Sequence, residues 1–364
     1  MLRKSKKMLR RITLKDVADT LGISTAAVSY VFTRPDRTSV ELRKRVLETA
    51  KRLGYSGPDP MARNLRRGRA SALGVVFPDS LPYAFNDPST ALFLEGVATA
   101  TEAADLGLLL VPGTLRRIRN PKAVNNAAVD GFIVYSMASD DPLLHAIRAR
   151  QVPVVLVDSA ALEGVPGVGI DDEAAASAAA EHLLQLGHRR FGVIGMNFKV
   201  GVTSGIARPE SMGSATYRDV GARLRGYNKA FREYGIQWGD SLCIYECSDN
   251  NDKEGRAAAR VLLGLSPRPT AILVMSDLLA IAAIAEIEAM GFKVPDDISV
   301  VGFDDIPAAS SVKPQLTTIH QPHVDKGFWA ARILIALLRD EEPPDPGLLP
   351  THLVIRDSTA PPSA

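Results

Sequence analysis

Residues 13–30 of this 364-residue chain read Thr-Leu-Lys-Asp-Val-Ala-Asp-Thr-Leu-Gly-Ile-Ser-Thr-Ala-Ala-Val-Ser-Tyr. Thr13 and Asp16 have the spacing of a capping box, in which a side chain and a backbone amide satisfy each other at the start of a helix. Gly22 suits the left-handed residue that ends a helix, and Ser24 can cap a second helix. The two predicted helices each have an apolar face, formed by Leu14, Val17, Ala18 and Leu21 and by Val28, Val31 and Phe32. Two short helices joined by a short glycine-containing turn are typical of a helix-turn-helix.

A third short helix is predicted after Thr38, because Thr38-Ser-Val-Glu41 repeats the capping-box pattern and Gly54 can end the helix. Up to Ala70 the chain has 18 Lys and Arg but six Asp and Glu, whereas the remainder has 25 and 35. Concentrated positive charge is typical of a protein that binds a polyanion. A basic solvent-exposed face without a partner is the alternative interpretation. We predict a DNA-binding headpiece in residues 1–57, with a basic N-terminal arm.

Beyond a break at residues 56–60, short apolar runs alternate with helical stretches. The runs lie at residues 72–78, 106–111, 131–135, 153–157, 191–195, 271–275 and 298–303. This alternation indicates parallel sheets that are covered on both faces. Because the segment is too long for one such sheet of ordinary size, we predict two α/β subdomains in tandem.

The composition excludes several classes of protein. Cys243 and Cys247 are the two cysteines, too few for a disulfide scaffold, and they suit a reducing cytoplasm. Asp277 interrupts the longest apolar stretch, so no membrane span is expected. The basic N-terminus is not followed by the apolar region of a signal peptide. We therefore expect a cytoplasmic, nucleoid-associated protein with no membrane partner.

No pattern typical of catalysis or metal binding is present. The chain lacks a GxSxG elbow, a GK[ST] phosphate loop and a GxGxxG after its first predicted strand. Cys243 and Cys247 are not spaced like a zinc pair. His182 and His188 are predicted to be surface or capping residues. We expect no catalytic residue, no metal and no cofactor.

Motifs beyond the headpiece narrow the interpretation. They are the segments 43–55, 62–68, 171–190, 223–227, 276–277, 300–305 and 316–321. Together with residues 13–30 and in this order, they resemble the LacI/GalR family of bacterial transcription regulators over residues 12–357.

This resemblance implies an α/β protein with a small all-α headpiece and a hinge helix at residues 58–71. The core, residues 72–357, would be two tandem doubly wound parallel-sheet subdomains resembling type I periplasmic binding proteins. The first would span about 72–158 and 318–340, the second about 170–305 and 351–356, with residues 358–364 as a tail. The family also implies a homodimer whose headpieces read the half-sites of a near-palindromic operator.

The resemblance assigns candidate DNA contacts to both the headpiece and the hinge. Leu65 matches a leucine that enters the minor groove at the operator centre, where an apolar wedge kinks the duplex. Tyr30 stands where many family members carry arginine, so bidentate readout of guanine is not expected there. The full set of candidates is Thr13, Ser24, Thr25, Ala26, Ser29, Tyr30, Arg63, Leu65 and Arg66.

Candidate effector contacts follow from strand ends and from motif position. Carboxylates and a guanidinium suit the hydroxyl groups of a sugar, although nucleobases are also bound in this family. Helix capping is the alternative role for the strand-end aspartates. The candidates are Asp158, Arg225, Ser276, Asp277, Phe303 and Asp304, with Phe85 as an alternative stacking residue.

The leading interpretation is a ligand-responsive repressor. Two alternatives use the same α/β core: a solute-binding protein of sugar uptake, or a sugar- or nucleoside-processing enzyme. The basic headpiece argues against the first, and the missing nucleophile or metal motif argues against the second.

Overall fold

A computed structural model describes residues 12–57, 68–115, 118–199, 201–208, 213–237, 239 and 241–363. The chain divides between Ala70 and Ser71 into two compact units. The described part of the first unit contains short helices, and the second contains two largely parallel sheets. The predicted α/β class with an all-helical N-terminal headpiece is therefore confirmed. No helix in the described ranges is both long and apolar enough to cross a membrane.

The headpiece consists of α1 (Leu14–Leu21), α2 (Thr25–Thr33) and α3 (Val40–Leu53). Thr13 Oγ1 accepts from the Asp16 amide at 3.3 Å, and the Asp16 carboxylate accepts from the Thr13 amide at 2.8 Å. This confirms the capping box. Gly22 and Gly54 are left-handed, with φ of 65° and 76°, at the ends of α1 and α3. The three helices bury a small core of Val17, Ala18, Val28, Val31, Val46 and Ala50.

The cap of the third helix differs from the prediction by one residue. Ser39 is the N-cap, with its hydroxyl accepting from the Leu42 amide at 3.3 Å. Thr38 instead donates its hydroxyl to the Pro35 carbonyl at 2.9 Å. A short 3₁₀ turn, Pro35–Arg37, immediately precedes Thr38 and takes its side chain, so the helix starts one residue later than expected.

The first sheet of the core is parallel throughout, and its strands lie in the spatial order Gly107–Pro112, Ala72–Phe77, Gly131–Tyr135, Val154–Val157 and Gly167–Val168. Residues alternate along its strands between two apolar clusters: Val75 and Ile133 face one cluster, and Val76 and Phe132 face the other. Both faces are therefore covered. The elements of this part are β1 (Ala72–Phe77), α4 (Leu81–Asn86), α5 (Pro88–Ala103), β2 (Gly107–Pro112), the hairpin β3 (Thr114–Leu115) and β4 (Ile118–Arg119), α6 (Pro121–Asn126), β5 (Gly131–Tyr135), α7 (Leu143–Ala149), β6 (Val154–Val157) and β7 (Gly167–Val168).

The second sheet has antiparallel strands at its two edges, and its strands lie in the spatial order His352–Val354, Thr317–His320, Ser299–Asp304, Ala271–Val274, Phe191–Gly195, Leu242–Glu246 and Gly205–Ile206. One edge strand, Gly205–Ile206, lies in a polar segment rich in glycine and serine. The elements are α8 (Asp172–Gln185), β8 (Phe191–Gly195), β9 (Gly205–Ile206), α9 (Arg218–Glu233), β10 (Leu242–Glu246), α10 (Asp252–Leu263), β11 (Ala271–Val274), α11 (Asp277–Ala289), β12 (Ser299–Asp304), β13 (Thr317–His320) and β14 (His352–Val354).

The chain returns from the second subdomain to the first later than residue 318, where the prediction places this return. Strand β13 pairs with β12 in the second sheet, so residues 318–320 do not belong to the first subdomain. The chain crosses after His320, and α12 (His323–Leu338) packs against α5 of the first subdomain. At this contact a Cβ on Gly327 would lie 2.0 Å from the Phe93 carbonyl oxygen. The two helix backbones therefore touch, which fixes the start of α12 against the first sheet.

The C-terminal segment is a built-in part of the second subdomain, which corrects the predicted tail at 358–364. Ser358 is fully buried, and its carbonyl accepts from the Val300 amide at 2.8 Å. His188 is buried beneath this segment and bonds Thr270, Ser299 and the Ala360 carbonyl. The prediction of a surface or capping role for His188 was therefore wrong.

Candidate functional site

A cleft of about 990 Å³, including its open mouth, lies where the carboxyl ends of strands from both sheets meet. Ligand sites in parallel α/β sheets occur at this end, because the loops after the strands converge there. The described lining carries the carboxylates of Asp79, Asp87, Asp158, Asp219, Asp249 and Asp304. It also carries the phenols of Tyr83, Tyr135 and Tyr217 and the amides of Asn197, Asn250 and Gln321.

The arginine of this cleft is Arg223, on α9, which the sequence analysis did not select. Its Nε donates to Asp172 Oδ1 at 3.1 Å and its Nη1 to the Met275 carbonyl at 2.6 Å. The guanidinium lies over the Phe303 ring, 3.7 Å from the centroid. Burial opposes the charge of Arg223, but Asp172 and Asp219 outweigh it and raise the pKa. Arg223 is therefore a fixed cation with one face toward the cleft.

Arg225, the predicted contact, is not among the residues that line the cleft. Its side chain is 64% exposed and pairs with Glu173 at 2.8 Å. Two residues along an α-helix correspond to roughly 200° of rotation, so Arg223 and Arg225 face nearly opposite sides. The helical periodicity of the sequence could have identified Arg223 as the inward-facing arginine, because it lies on the same helix face as the buried Val220 and Tyr227.

Asp158 and Asp304 do line the cleft, as the strand ends suggested. Both have positive φ, 50° and 130°, a backbone conformation that residues with a side chain adopt less readily than glycine. Asp304 Oδ1 accepts from Gln321 Nε2 at 2.7 Å. Burial raises the pKa of Asp304 well above its usual value. Asp158 Oδ2 accepts from Lys326, whereas its buried Oδ1 has no partner among the described residues.

Ser276, Asp277 and Phe303 lie behind the cleft rather than in its lining. Ser276 caps α11 by accepting from the Leu278 amide at 3.2 Å. Asp277 accepts from the Ile306 amide at 3.0 Å and from Thr318 Oγ1 at 2.5 Å. Both of its oxygens are thus used within the protein, and burial raises its pKa to about 6. Phe303 is fully buried and supports Arg223.

Several lining residues were missed because they come from the start of α9, from loops or from the crossing segment. Burial raises the pKa of Asp219 to about 6, and that of Tyr217 to about 12. Burial also lowers the pKa of His323 well below its usual value, so its ring is neutral. Neither ring nitrogen of His323 has a hydrogen-bond partner in the described part of the chain. Phe85, by contrast, is 65% exposed and outside the lining.

Buried polar atoms without partners are costly, and they are commonly satisfied by water or a ligand. In the cleft these atoms are Asp158 Oδ1, Asn250 Oδ1 and both ring nitrogens of His323. Beside them stand the carboxylates and the fixed guanidinium of Arg223. Such a lining offers carboxylate acceptors beside phenol, amide and guanidinium donors, which fits a molecule that carries several hydroxyl groups, because a hydroxyl both donates and accepts.

The candidate DNA contacts of the headpiece lie along α2. Val28 and Val31 face the core, whereas Thr25, Ala26 and Tyr30 are exposed and Ser29 is half-buried. Ser24 Oγ accepts from the Ala27 amide at 3.2 Å, so Ser24, like Thr13, acts as a helix cap. Exposed residues at the N-terminal and outer side of a second helix have the placement that major-groove reading requires. Arg63, Leu65 and Arg66 lie outside the described residues.

Comparison with known proteins supports both parts. The family profile described as bacterial regulatory proteins, lacI family, matches residues 13–57, and the periplasmic binding protein-like domain matches residues 180–359. The HTH-type transcriptional regulator Rv3575c of Mycobacterium tuberculosis is 40% identical over 97% of this chain and 98% of its own length. The HTH-type transcriptional repressor CytR of Escherichia coli is 32% identical over 98% of both chains.

Solved structures show the same architecture. The lac repressor dimer bound to operator and an anti-inducer matches with a TM-score of 0.77 and 26% identity, over 96% of this chain and all of that one. A complex of the transcriptional regulator CelR with cellobiose matches with a TM-score of 0.66 and 27% identity, over the same shares.

Proposed function

Because this chain belongs to the LacI family of bacterial transcription regulators, we propose that it is a repressor that binds a near-palindromic operator as a homodimer and responds to a sugar-like effector. Its relatives over nearly the whole length are named transcriptional regulators, so the chain is a regulator and not an enzyme. CytR supports the repressor assignment by its name. The operator-bound lac repressor dimer supports the mode of DNA binding.

The observation that carries the effector proposal is the polarity of the cleft. Six carboxylates and the single guanidinium of Arg223 are present in its described lining. A phosphorylated ligand would need a cation to pair with, and the one guanidinium of the described lining, Arg223, is already paired with Asp172. An uncharged molecule rich in hydroxyl groups would instead donate to Asp158 and Asp304 and accept from Arg223. The cellobiose bound by CelR is such a molecule.

The headpiece would read DNA through the exposed side of α2. Thr25 and Ser29 would contact phosphates or base edges, Ala26 a thymine methyl group, and Tyr30 a base acceptor. Phosphate contacts release counterions, so operator affinity should fall steeply with salt concentration. In the hinge, Leu65 would open the central base step, with Arg63 and Arg66 on the backbone.

Regulation would couple these two sites. An effector can shift the arrangement of the core subdomains only if it binds one arrangement more tightly than the other, a difference typically worth about 1–3 kcal/mol. The positions of the N-terminal ends of the two cores in the dimer would decide whether both hinge segments can hold Leu65 in the minor groove. Such a repressor acts on chromosomal DNA, in the cytoplasm.

Calorimetric titration of the full-length protein tests the effector class. The panel is D-glucose, D-ribose, cellobiose and a set of other unphosphorylated sugars and polyols, each paired with its phosphorylated counterpart, and a set of nucleobases. We expect heat from at least one unphosphorylated compound and none from its phosphate ester. Binding confined to phosphate esters or to nucleobases would overturn the assignment.

The Leu65→Ala variant tests the hinge. We expect operator affinity to fall about tenfold or more, because the variant loses the wedge that keeps the duplex bent, while effector affinity stays the same. An unchanged operator dissociation constant would remove the wedge.

A further inference from the structure

Helix α12 contains one charged side chain that is completely enclosed by protein. Lys326 is 0% exposed. The rest of the helix after it is almost all apolar and reads Gly-Phe-Trp-Ala-Ala-Arg-Ile-Leu-Ile-Ala-Leu-Leu. The contact of Gly327 with the Phe93 carbonyl fixes this point of the helix against α5. A buried ammonium is costly unless it is paired and hydrogen-bonded, so its partners define why it is there.

The partners of Lys326 connect the two subdomains beneath the cleft. Its Nζ donates to Asp158 Oδ2 at 2.7 Å and to Gln321 Oε1 at 2.6 Å. Gln321 Nε2 then donates to Asp304 Oδ1 at 2.7 Å. Asp158 follows β6 of the first sheet, Gln321 lies in the crossing segment, and Asp304 ends β12 of the second sheet. The four side chains therefore form a continuous hydrogen-bonded network between the two core subdomains.

The direction of these bonds is set by Lys326. An ammonium has only donors, so Gln321 must turn its oxygen toward Lys326 and its NH₂ toward Asp304. The same ammonium holds one oxygen of Asp158, while Oδ1 is buried and has no hydrogen-bond partner among the described residues. Lys326 does not itself line the cleft, yet it orients three residues that do.

We infer that Lys326 is the positioning residue of the effector site: it sets the orientation of Asp158 and Gln321 and ties the two core subdomains together before any effector binds. The inference rests on the proposed function for its meaning, since the cleft is taken as the effector site. Its structural content is independent of which molecule binds there. An effector that binds Asp158 and Asp304 would contact both ends of this hydrogen-bonded network and would therefore change how the two core subdomains are held together.

The simpler role for Lys326 would be charge neutralisation of Asp158. The two roles differ in one respect. If Lys326 only neutralises the charge of Asp158, it is no longer needed once Asp158 is also made neutral. If it instead links the two core subdomains, the link is lost whenever the hydrogen bond from Lys326 to Gln321 is lost. The double variant Asp158→Asn, Lys326→Met therefore separates them, and it leaves no unpaired buried charge that would prevent folding.

Distance measurement between spin labels by double electron–electron resonance, on the full-length protein without DNA or ligand, provides the test. Labels are placed at the exposed positions Lys122 of the first subdomain and Lys253 of the second, through Lys122→Cys and Lys253→Cys. Cys243 is replaced by serine, and buried Cys247, whose thiol pKa is raised by burial, stays unlabelled. The variants are Lys326→Met and the double variant, with Lys229→Met, on the exposed side of α9, as the matched control.

Doubly labelled protein is mixed with an excess of unlabelled protein, so that the distance within one protomer dominates the signal. We expect a narrow distribution of this distance for the unsubstituted protein and for Lys229→Met, and one about twofold broader or shifted for Lys326→Met and the double variant. If the double variant regains the narrow distribution, Lys326 is only a neutraliser and the inference is wrong. An unchanged distribution in Lys326→Met would also overturn it. Because neither DNA nor effector is present, failure of the proposed function would show in the sugar titration and not in this measurement.

Discussion

The headpiece takes its candidate contacts from one helix and the caps beside it, whereas the cleft takes its lining from segments scattered between Phe77 and His323. In the headpiece the caps, the apolar stripe and the exposed face all follow from residues three or four positions apart. In the cleft, Asp79, Asp219 and Gln321 become neighbours only because strands of two sheets end at the same place. Local periodicity therefore predicts the first site, while the second depends on the tertiary arrangement.

The two regions also differ in how they hold charge. The charged side chains in the described part of the headpiece, residues 12–57, are exposed or half-buried, but the cleft holds Arg223, Asp219 and Asp304 largely out of water. Substitutions in the cleft should thus change stability and binding together, because a buried charge left without its partner is costly. Substitutions on the exposed side of α2 should change DNA binding alone.

The largest effect is expected from Arg223→Met. Removal of this guanidinium leaves Asp219 buried without its cation and Asp172 with only the more distant Arg218, at 3.6 Å, which should lower the free energy of unfolding by about 3–5 kcal/mol and abolish effector binding. The matched control is Arg225→Met, which breaks an exposed pair with Glu173 and should cost less than about 1 kcal/mol. Urea unfolding and calorimetry measure both. Equal effects of the two substitutions would contradict the assignment of Arg223, and not Arg225, to the effector site.

Asp219 should give the cleft a characteristic pH dependence. Its pKa is raised from 3.8 to about 6, mainly by burial, so the folded protein binds this proton more tightly than the unfolded chain. The stability that the proton provides is present below pH 4 and is lost as the pH rises through about 6. Asp219→Asn should therefore match the wild type at pH 4 and be more stable at pH 7, by roughly 2–3 kcal/mol.

Urea unfolding between pH 4 and pH 7 provides the check, with the exposed Asp325→Asn as control for loss of a surface carboxylate. The difference between Asp219→Asn and wild type should grow with pH. A constant difference over this range would show that the carboxylate is not held in a desolvated site.

Tyr30→Ala should change DNA binding by the headpiece while leaving its stability almost unchanged. Tyr30 is 52% exposed, so its removal should change the free energy of unfolding by less than about 0.5 kcal/mol. Operator affinity should fall roughly tenfold, since one base contact is lost. Tyr234→Ala, at another exposed tyrosine, is the control and should leave operator affinity unchanged. Fluorescence anisotropy with labelled operator DNA distinguishes the two, and equal affinities would exclude Tyr30 from the interface.

The smallest effect concerns the start of α3. Ser39→Ala should destabilise the headpiece by about 1 kcal/mol, because the Leu42 amide loses its acceptor. Thr38→Ala should cost less than about 0.5 kcal/mol, because its hydroxyl bonds only a turn carbonyl. Hydrogen exchange of the headpiece amides measures both. The reverse order would restore Thr38 as the cap.

The sequence was sufficient for the class of fold and for the helix-turn-helix, since capping residues and apolar stripes act over a few positions. It was sufficient for Asp158 and Asp304 as cleft residues, because a polar residue after a buried parallel strand must lie at the carboxyl edge of the sheet. The placement of Arg225 failed because a motif gives the neighbourhood of a residue but not the side of the helix on which it lies.

Other features depend on contacts between distant segments. Lys326 sits at the start of an apolar helix, and nothing within that helix indicates its partners, which come from the ends of β6 and β12. His188 is similar, since its partner Ala360 lies in a segment that composition alone marks as a tail. Strand β13 was assigned to the wrong subdomain because its sheet is decided by pairing with β12.

The most direct test of the account is selection of bound sequences from a random duplex library with purified full-length protein, repeated with and without the sugar panel. We predict enrichment of a near-palindrome with a flexible central step, whose recovery changes when one unphosphorylated sugar is present. A single unrepeated half-site, or no enrichment under either condition, would contradict a dimeric, effector-responsive repressor.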